Sequence, residues 1–331
     1  MSPASPRAPR LPRLVVVGPT ATGKSALALD LSEKIQTVEP ETRAEIINAD
    51  ASLLYRGMDI GTAKPSPAER ARVPHHQIDV LTVRDRASVA AFQRSARGDI
   101  DAVESRGHLP IIVGGSGLYV RALTDDLDFP GTDPAVRARL SERAEREGAS
   151  VLHAELSRVD PVAAERIEAS NTRRIVRALE VIEITGRPFS ASLPCYEDVV
   201  PTVHIALRCE RRLLDLRINA RAHAMFERGL VEEVETLIGQ GIREGETAPR
   251  AIGYAQALAV IDGTMSVSEA VDSTALATRQ LASRQIKWFR RDPRVRWIDV
   301  ELTEDGRCSD TERSRVTRQA RELVLAVDGV A

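Results

Sequence analysis

The run Gly18-Pro19-Thr20-Ala21-Thr22-Gly23-Lys24-Ser25 satisfies the pattern GxxxxGK[ST] in full. Such a loop wraps phosphate oxygens with backbone amides, while the helix behind it points its positive end at them. Lys24 is placed to neutralise a terminal phosphate and the Ser25 hydroxyl to hold Mg²⁺. The plain alternative is a decorative glycine-rich turn; a strand signal before it and a helical signal after it count against that. A second candidate is Asp50, within NADASLLYRGMDIGTAKP. NTPases offer a carboxylate for the metal and a residue that positions water. Here the apolar run 109–113 ends in Gly-Gly-Ser-Gly, so the acid comes from Asp50 at the end of a different run. An aspartate beside a phosphate loop can take a proton from an incoming nucleophile, or it can simply cap a helix beginning at Ala51. The stretch 57–64, with Gly61 and Lys64, suits a ligand and equally an ordinary connection.

These residues need elements to hold them. Apolar runs at 14–17, 44–49, 77–81 and 109–113 read as strands, with helices after the phosphate loop and over 88–105. Strands alternating with helices specify a parallel sheet whose ligands sit at the strand carboxyl ends, where Asp50 and Gly114-Gly115 fall. The expected fold class is α/β, a P-loop-type parallel sheet core with a helical insertion domain. Residues 133–187 are charged, alanine-rich and helical in period, with prolines at 134 and 161 as starts and Gly186 as a stop. The insertion domain is therefore placed at 122–198 and the core at 13–121 and 199–301. Strands at 202–208 and 295–300 and long helices over 211–240 and 266–291 complete the core. Residues 1–12 read as a disordered tail with no secretion signal, and 302–331 as a peripheral C-terminal tail. No internal repeat is present.

The chain has 331 residues, 43% hydrophobic and 28% charged, with a formal net charge of −2, which excludes disordered and collagen-like classes. No apolar run approaches a membrane span. Cys195, Cys209 and Cys308 are far apart without a CxxC pair, which argues against disulfides and a zinc site and fits a reducing cytoplasm. His75-His76 reads as a polar loop or sheet edge. Against the near-neutral total, residues 279–296 hold Arg279, Arg284, Lys287, Arg290, Arg291, Arg294 and Arg296 with Asp292 alone opposing them. Arg173, Arg174 and Arg177 form a second basic cluster. Each is either a solvated helix face or a nucleic-acid backbone surface. Trp288 and Phe289 inside the first run read as core, with base stacking as the alternative.

In order along residues 14–300, GPTATGKS, NADASLLYRGMDIGTAKP, VGGSGLYVRAL, RRIVRALE and ATRQLASRQIKWFRR resemble the tRNA dimethylallyltransferase family. The resemblance implies a transferase using dimethylallyl diphosphate and Mg²⁺. Its partner is tRNA, modified in the anticodon stem-loop at the exocyclic amine of the adenosine just 3′ of the anticodon. Carried over by position, the catalytic base falls on Asp50 and the donor contacts on Gly18, Thr20, Ala21, Thr22, Gly23, Lys24 and Ser25. Arg221 corresponds to an arginine near the diphosphate, and Lys24 joins the catalytic set. Ser116, where threonine is frequent, corresponds to a residue near the target adenosine, and Arg137 to a tRNA contact. Further tRNA-contacting positions fall on Ala51, Ser52 and Leu53 after Asp50, and on Arg173, Arg174 and Arg177. They continue through Arg250, Gly253 and Tyr254 to Arg284, Gln285, Lys287 and Arg290. Ala51 stands where serine is common, and Ala255 where arginine often closes its segment. No C-terminal zinc-finger pattern is seen, so the resemblance is to the bacterial type, expected as a cytoplasmic monomer without membrane contact. Rival readings are an isopentenyltransferase acting on free adenine nucleotides, a P-loop small-molecule kinase, and a non-enzymatic RNA-binding protein that would not need Lys24, Ser25 and Asp50 together.

Overall fold

The computed structural model describes residues 11–38, 43–192 and 196–326. Cys195 and all of the expected tail before Leu11 lie outside the described residues. Six strands are formed among the described residues: β1 Arg13–Val17, β2 Ala44–Asn48, β3 His75–His76, β4 Leu109–Val113, β5 Thr202–Arg208 and β6 Val295–Asp299. They make one parallel sheet in the order β3-β2-β4-β1-β5-β6. β2 and β4 are buried along their whole lengths, as parallel strands covered on both faces must be. The third strand was expected at 77–81 and is instead His75–His76, because Gln77 and Asp79 take φ of 59° each and cannot continue an extended strand. His76 occupies this sheet edge, its Nε2 2.6 Å from the buried Glu45 carboxylate.

Two of the hydrophobic clusters position the sheet and the helices that follow it. One joins Leu14, Val16, Ile111 and Ile205 of the sheet to Leu27 and Leu31 of the helix Lys24–Val38. The same cluster takes in Val316, Ala320 and Val324 of the helix Asp310–Leu325. The helix Asp310–Leu325, expected within a peripheral tail, is therefore part of the core: the amphipathic spacing of these three side chains buries one of its faces, and Arg313 ties it to Asp30 at 2.5 Å. Leu11 belongs to this cluster too. The other cluster gathers Tyr55 and Met58 with the helices Arg211–Glu227, Leu230–Gly239, Tyr254–Ile261 and Val267–Phe289. The single helix expected over 211–240 is broken at Gly229, whose φ is 92°.

The chain divides into two compact units, Asp125–Glu197 and the remainder. The smaller holds the helices Pro134–Glu147, Ala149–Val159, Pro161–Arg166 and Thr172–Thr185 around Leu140, Leu152, Leu156 and Ile175. Pro134 and Pro161 open their helices where a missing N–H costs nothing, and Gly186 closes the last in the left-handed region. No helix among the described residues is long and apolar enough to cross a membrane.

Candidate active site

β1 runs into the phosphate loop, and the helix Lys24–Val38 begins directly after Gly23. Within the loop, Ala21 holds a φ of 66°, a strained conformation for a residue with a side chain. Thr22 Oγ1 and Lys24 Nζ both donate to the Pro19 carbonyl at 2.8 Å. Burial pulls the Lys24 ammonium down to about 8, with Asp50 pulling upward and Arg221 downward again. Ser25 is exposed on the first helical turn, its hydroxyl without a hydrogen bond among the described residues.

β2 delivers Asp50. Asn48, at the end of that strand, accepts from the Asp50 N–H at 2.9 Å and donates to the carbonyls of Asp50 at 3.0 Å and Gln77 at 2.8 Å. This clamp was missed in the sequence, where a polar residue ending an apolar strand was its signal. Asp50 Oδ1 accepts from the Ser52 N–H at 3.1 Å and the Ser52 hydroxyl at 2.7 Å, capping the short turn Ala51–Leu54. The capping function of Asp50 is thus real, and it uses one oxygen. Oδ2 takes no hydrogen bond among the described residues, so it retains acceptor capacity.

Two cavities meet here. The larger, about 750 Å³, lies between the phosphate loop and the segment 305–317. The smaller, about 380 Å³, is walled by Tyr55, Tyr119, Met225, Thr247, Arg250 and Thr274. Thr20, Asp50, Thr62 and Arg221 border both. Arg221 and Arg217 lie one turn apart on the helix Arg211–Glu227. Burial, then Arg217, pulls the Arg221 pKa down, and Asp50 pushes it back up. Arg217 borders only the larger cavity, and its Nη1 is buried with no partner. A buried guanidinium nitrogen beside a phosphate loop is suited to an anion, so Arg217 is a donor-site candidate that sequence reading missed. Its signal was the four-residue spacing from Arg221. Tyr119 packs against Phe92 with ring centroids 4.7 Å apart and ring planes tilted by 46°. Burial first, then Tyr55 and Asp50, push its phenol up to about 12, so a neutral hydroxyl borders the smaller cavity.

The remaining expected site residues scatter. Gly18 to Ser25 form one loop, with Thr20 to Ser25 bordering the larger cavity, as does Leu53; Ala51 and Ser52 border the smaller. Ser116 precedes the helix Gly117–Thr124, half-buried, and lines neither. Arg250 is exposed at the smaller cavity, whereas Gly253 is buried. Tyr254, expected toward RNA, is fully buried and donates to Glu233 at 2.6 Å. Gln285, also expected toward RNA, is buried: it accepts from the Thr20 N–H at 2.8 Å and donates to the Gly115 carbonyl at 3.0 Å. On the same helix Arg284 and Lys287 are exposed, as are Arg290 and Arg291 just beyond it, none with an ion pair among the described residues. Arg294 instead turns to Asp292 and Asp198, and Arg279 to Asn219. Phe289 is buried and Trp288 half-buried. In the smaller unit Arg173 and Arg174 are exposed, but Arg137 and Arg177 both bind the buried Glu180, at 2.6 and 3.0 Å. Cys209 and Cys308 are free thiols, and no cluster of metal-ligating side chains occurs among the described residues.

The model of the IPP transferase family matches residues 53–292. A protein of Streptomyces avermitilis named tRNA dimethylallyltransferase is 53% identical over 88% of this chain and 92% of its own. A Streptomyces coelicolor relative of the same name is 53% identical over 94% of this chain and 95% of its own. The crystal structure of a tRNA isopentenylpyrophosphate transferase from Bacillus halodurans superposes with a TM-score of 0.66 at 35% identity, covering 96% of this chain and 98% of that one. Matched by the family model over residues 53–292 and by relatives over most of its length, this chain belongs to the IPP transferase family.

Proposed function

We propose that the protein transfers the dimethylallyl group of dimethylallyl diphosphate to the exocyclic N6 amine of the tRNA adenosine just 3′ of the anticodon. The observation that carries this is the position of Asp50, on the wall common to both cavities and against Lys24 and Arg221. A diphosphate in the larger cavity and a base in the smaller would bring the donor carbon and the acceptor nitrogen to the same carboxylate. The target base, hidden within a stacked loop, is extruded to reach it.

The carbon–oxygen bond of the donor breaks and both its electrons leave with diphosphate, whose growing charge Lys24, Arg217 and Arg221 stabilise electrostatically. The amine lone pair forms the new carbon–nitrogen bond, and the amine proton passes to Asp50 Oδ2. Because Ser52 holds Oδ1, Oδ2 presents a fixed direction to that proton. The free Ser25 hydroxyl on the larger cavity fits Mg²⁺, an ion usually held by one or two protein oxygens plus substrate phosphates. Bound there, Mg²⁺ would offset charge on the diphosphate.

For RNA, Arg284, Lys287, Arg290 and Arg250 of the larger unit and Arg173 and Arg174 of the smaller are exposed and free to meet phosphates. The reading is of a cytoplasmic monomer. Labelled dimethylallyl diphosphate offered with tRNA or with free adenine nucleotides tests the reading. Label on the tRNA adenosine is expected; label confined to free nucleotides would overturn the acceptor.

A further inference from the structure

The helix Val267–Phe289 presents two faces three residues apart in period. Arg284 and Lys287 are exposed, while Gln285 and Trp288 turn inward onto the segment after β4. Close approach is possible only because Gly115 and Gly117 carry no side chain. A Cβ on Gly115 would lie 2.2 Å from Gln285 Nε2, and one on Gly117 would lie 2.0 Å from Trp288 Nε1. The Gln285 amide then bridges two separate parts of the site, the Thr20 N–H of the phosphate loop and the Gly115 carbonyl. Both contacts join segments distant in sequence, and Gln285 is only 6% exposed.

We propose that Gln285 is a positioning residue of the donor site, which fixes the phosphate loop against the Gly114-Gly115 turn rather than contacting RNA. The inference rests on the donor-site reading of the phosphate loop. Thr20 stands on the wall between the cavities, at the entry to the strained part of the loop around Ala21. A loop that binds anions through several backbone amides needs all of them aimed at once. Fixing one end of it in advance removes ordering cost from the binding step. With one lone pair of Oε1 given to Thr20 and one amide hydrogen to Gly115, Gln285 keeps one hydrogen and one lone pair for anything else, although it borders the smaller cavity. The residue therefore serves the donor from a helix whose exposed side carries the free cations.

The test is calorimetric titration of the full chain with inorganic pyrophosphate and Mg²⁺, alongside filter binding of tRNA. Gln285→Met keeps the shape and removes both bonds. It is expected to weaken pyrophosphate binding about tenfold while tRNA affinity stays within about twofold. Gly115→Ala displaces the same amide from the other side and should give the same split. The double variant should be no weaker than the worse single one, because both break one bridge. Melting temperatures are recorded for each. A folded Gln285→Met protein with normal pyrophosphate affinity overturns the proposal, as does one that loses tRNA and keeps pyrophosphate. A parallel loss of melting temperature and both affinities in both variants overturns it as well, since that is a packing defect. Pyrophosphate binding needs neither RNA nor turnover, so the outcome is separable from the transfer reading: a wild-type chain that binds no pyrophosphate sinks the donor site itself.

Discussion

The cations around the phosphate loop and those of the smaller unit are treated in opposite ways. Arg137 and Arg177 converge on Glu180, a carboxylate with no solvent exposure that also accepts from the Asp133 N–H at 3.1 Å. Their hydrogen bonds outweigh the burial that opposes ionisation and hold the Glu180 pKa below the usual carboxylate range. Lys24, Arg217 and Arg221 crowd together without an ion pair among the described residues, and burial, then repulsion from Arg217, lowers the Arg221 pKa. Leaving cations enclosed and unpaired costs stability. The chain bears that cost where an anionic substrate would relieve it, and neutralises its arginines where they serve packing. Paired charge marks architecture, and unpaired enclosed charge marks the site.

Asp50 is where the distinction breaks if it is wrong. If Asp50 were a counter-ion like Glu180, removing its charge would chiefly cost stability. As the general base it should chiefly cost rate. Asp50→Asn is expected to lose roughly 10²–10⁴-fold in single-turnover rate, with melting close to wild type because asparagine caps as well as aspartate. Near-normal chemistry in a stable Asp50→Asn protein would sink the general-base assignment.

The converse holds for Glu180. Its replacement by Ala leaves two arginines facing each other around a buried hole and should destabilise the smaller unit by about 3 kcal/mol. Hydrogen exchange within 125–197 reads that loss, while pyrophosphate binding at the phosphate loop should not change. A Glu180→Ala protein with unaltered exchange protection would remove the paired half of the comparison.

How much of this was legible follows the same division. GPTATGKS and Asp50 could be read because local pattern alone specifies them: a strand, a tight loop, a helix start. The five strands expected outside β3 likewise needed only local apolar runs. What sequence could not show depended on partners far along the chain. Gln285 sits in a segment rich in exposed polar residues, and Tyr254 follows the exposed Arg250; only the docking of Gly115 on Gln285 and the bond from Tyr254 to Glu233 show that both are buried. The fate of Arg137 and Arg177 turned on Glu180, which reads as one more acid on a charged helix. The C-terminal helix looked peripheral because its burying partner, the helix Lys24–Val38, lies at the other end of the chain.

Exposed cations sharpen the comparison on the RNA side. Arg284→Glu should weaken tRNA binding about tenfold and flatten its salt dependence by about one counterion in slope, as expected for a lost phosphate contact. Arg177→Gln, already committed to Glu180, should change affinity less and stability more. Equal effects of the two on tRNA binding would show that pairing does not decide which arginines reach RNA.

The smallest expected effect tests the unpaired charge most directly. Lys24 titrates at about 8 because burial and Arg221 disfavour its charge more than Asp50 supports it. A bound diphosphate supplies the missing negative charge, so it must raise that pKa, and binding must then take up protons when the pH is near or above the free value. Affinity is therefore full at pH 7 and falls as pH rises through the free pKa toward the bound one. Between pH 7 and 8.5 the loss is about fourfold for one group with a free pKa near 8. Pyrophosphate has its own titration in this range, so Lys24→Arg serves as the reference: its guanidinium keeps its charge throughout, and its profile carries only the ligand's protons. The wild-type curve should fall below that reference as the pH rises, with calorimetric proton uptake that Lys24→Arg lacks. Superimposable profiles would mean that Lys24 is already charged at every pH tested, and that its ammonium is not held in an unpaired, enclosed state.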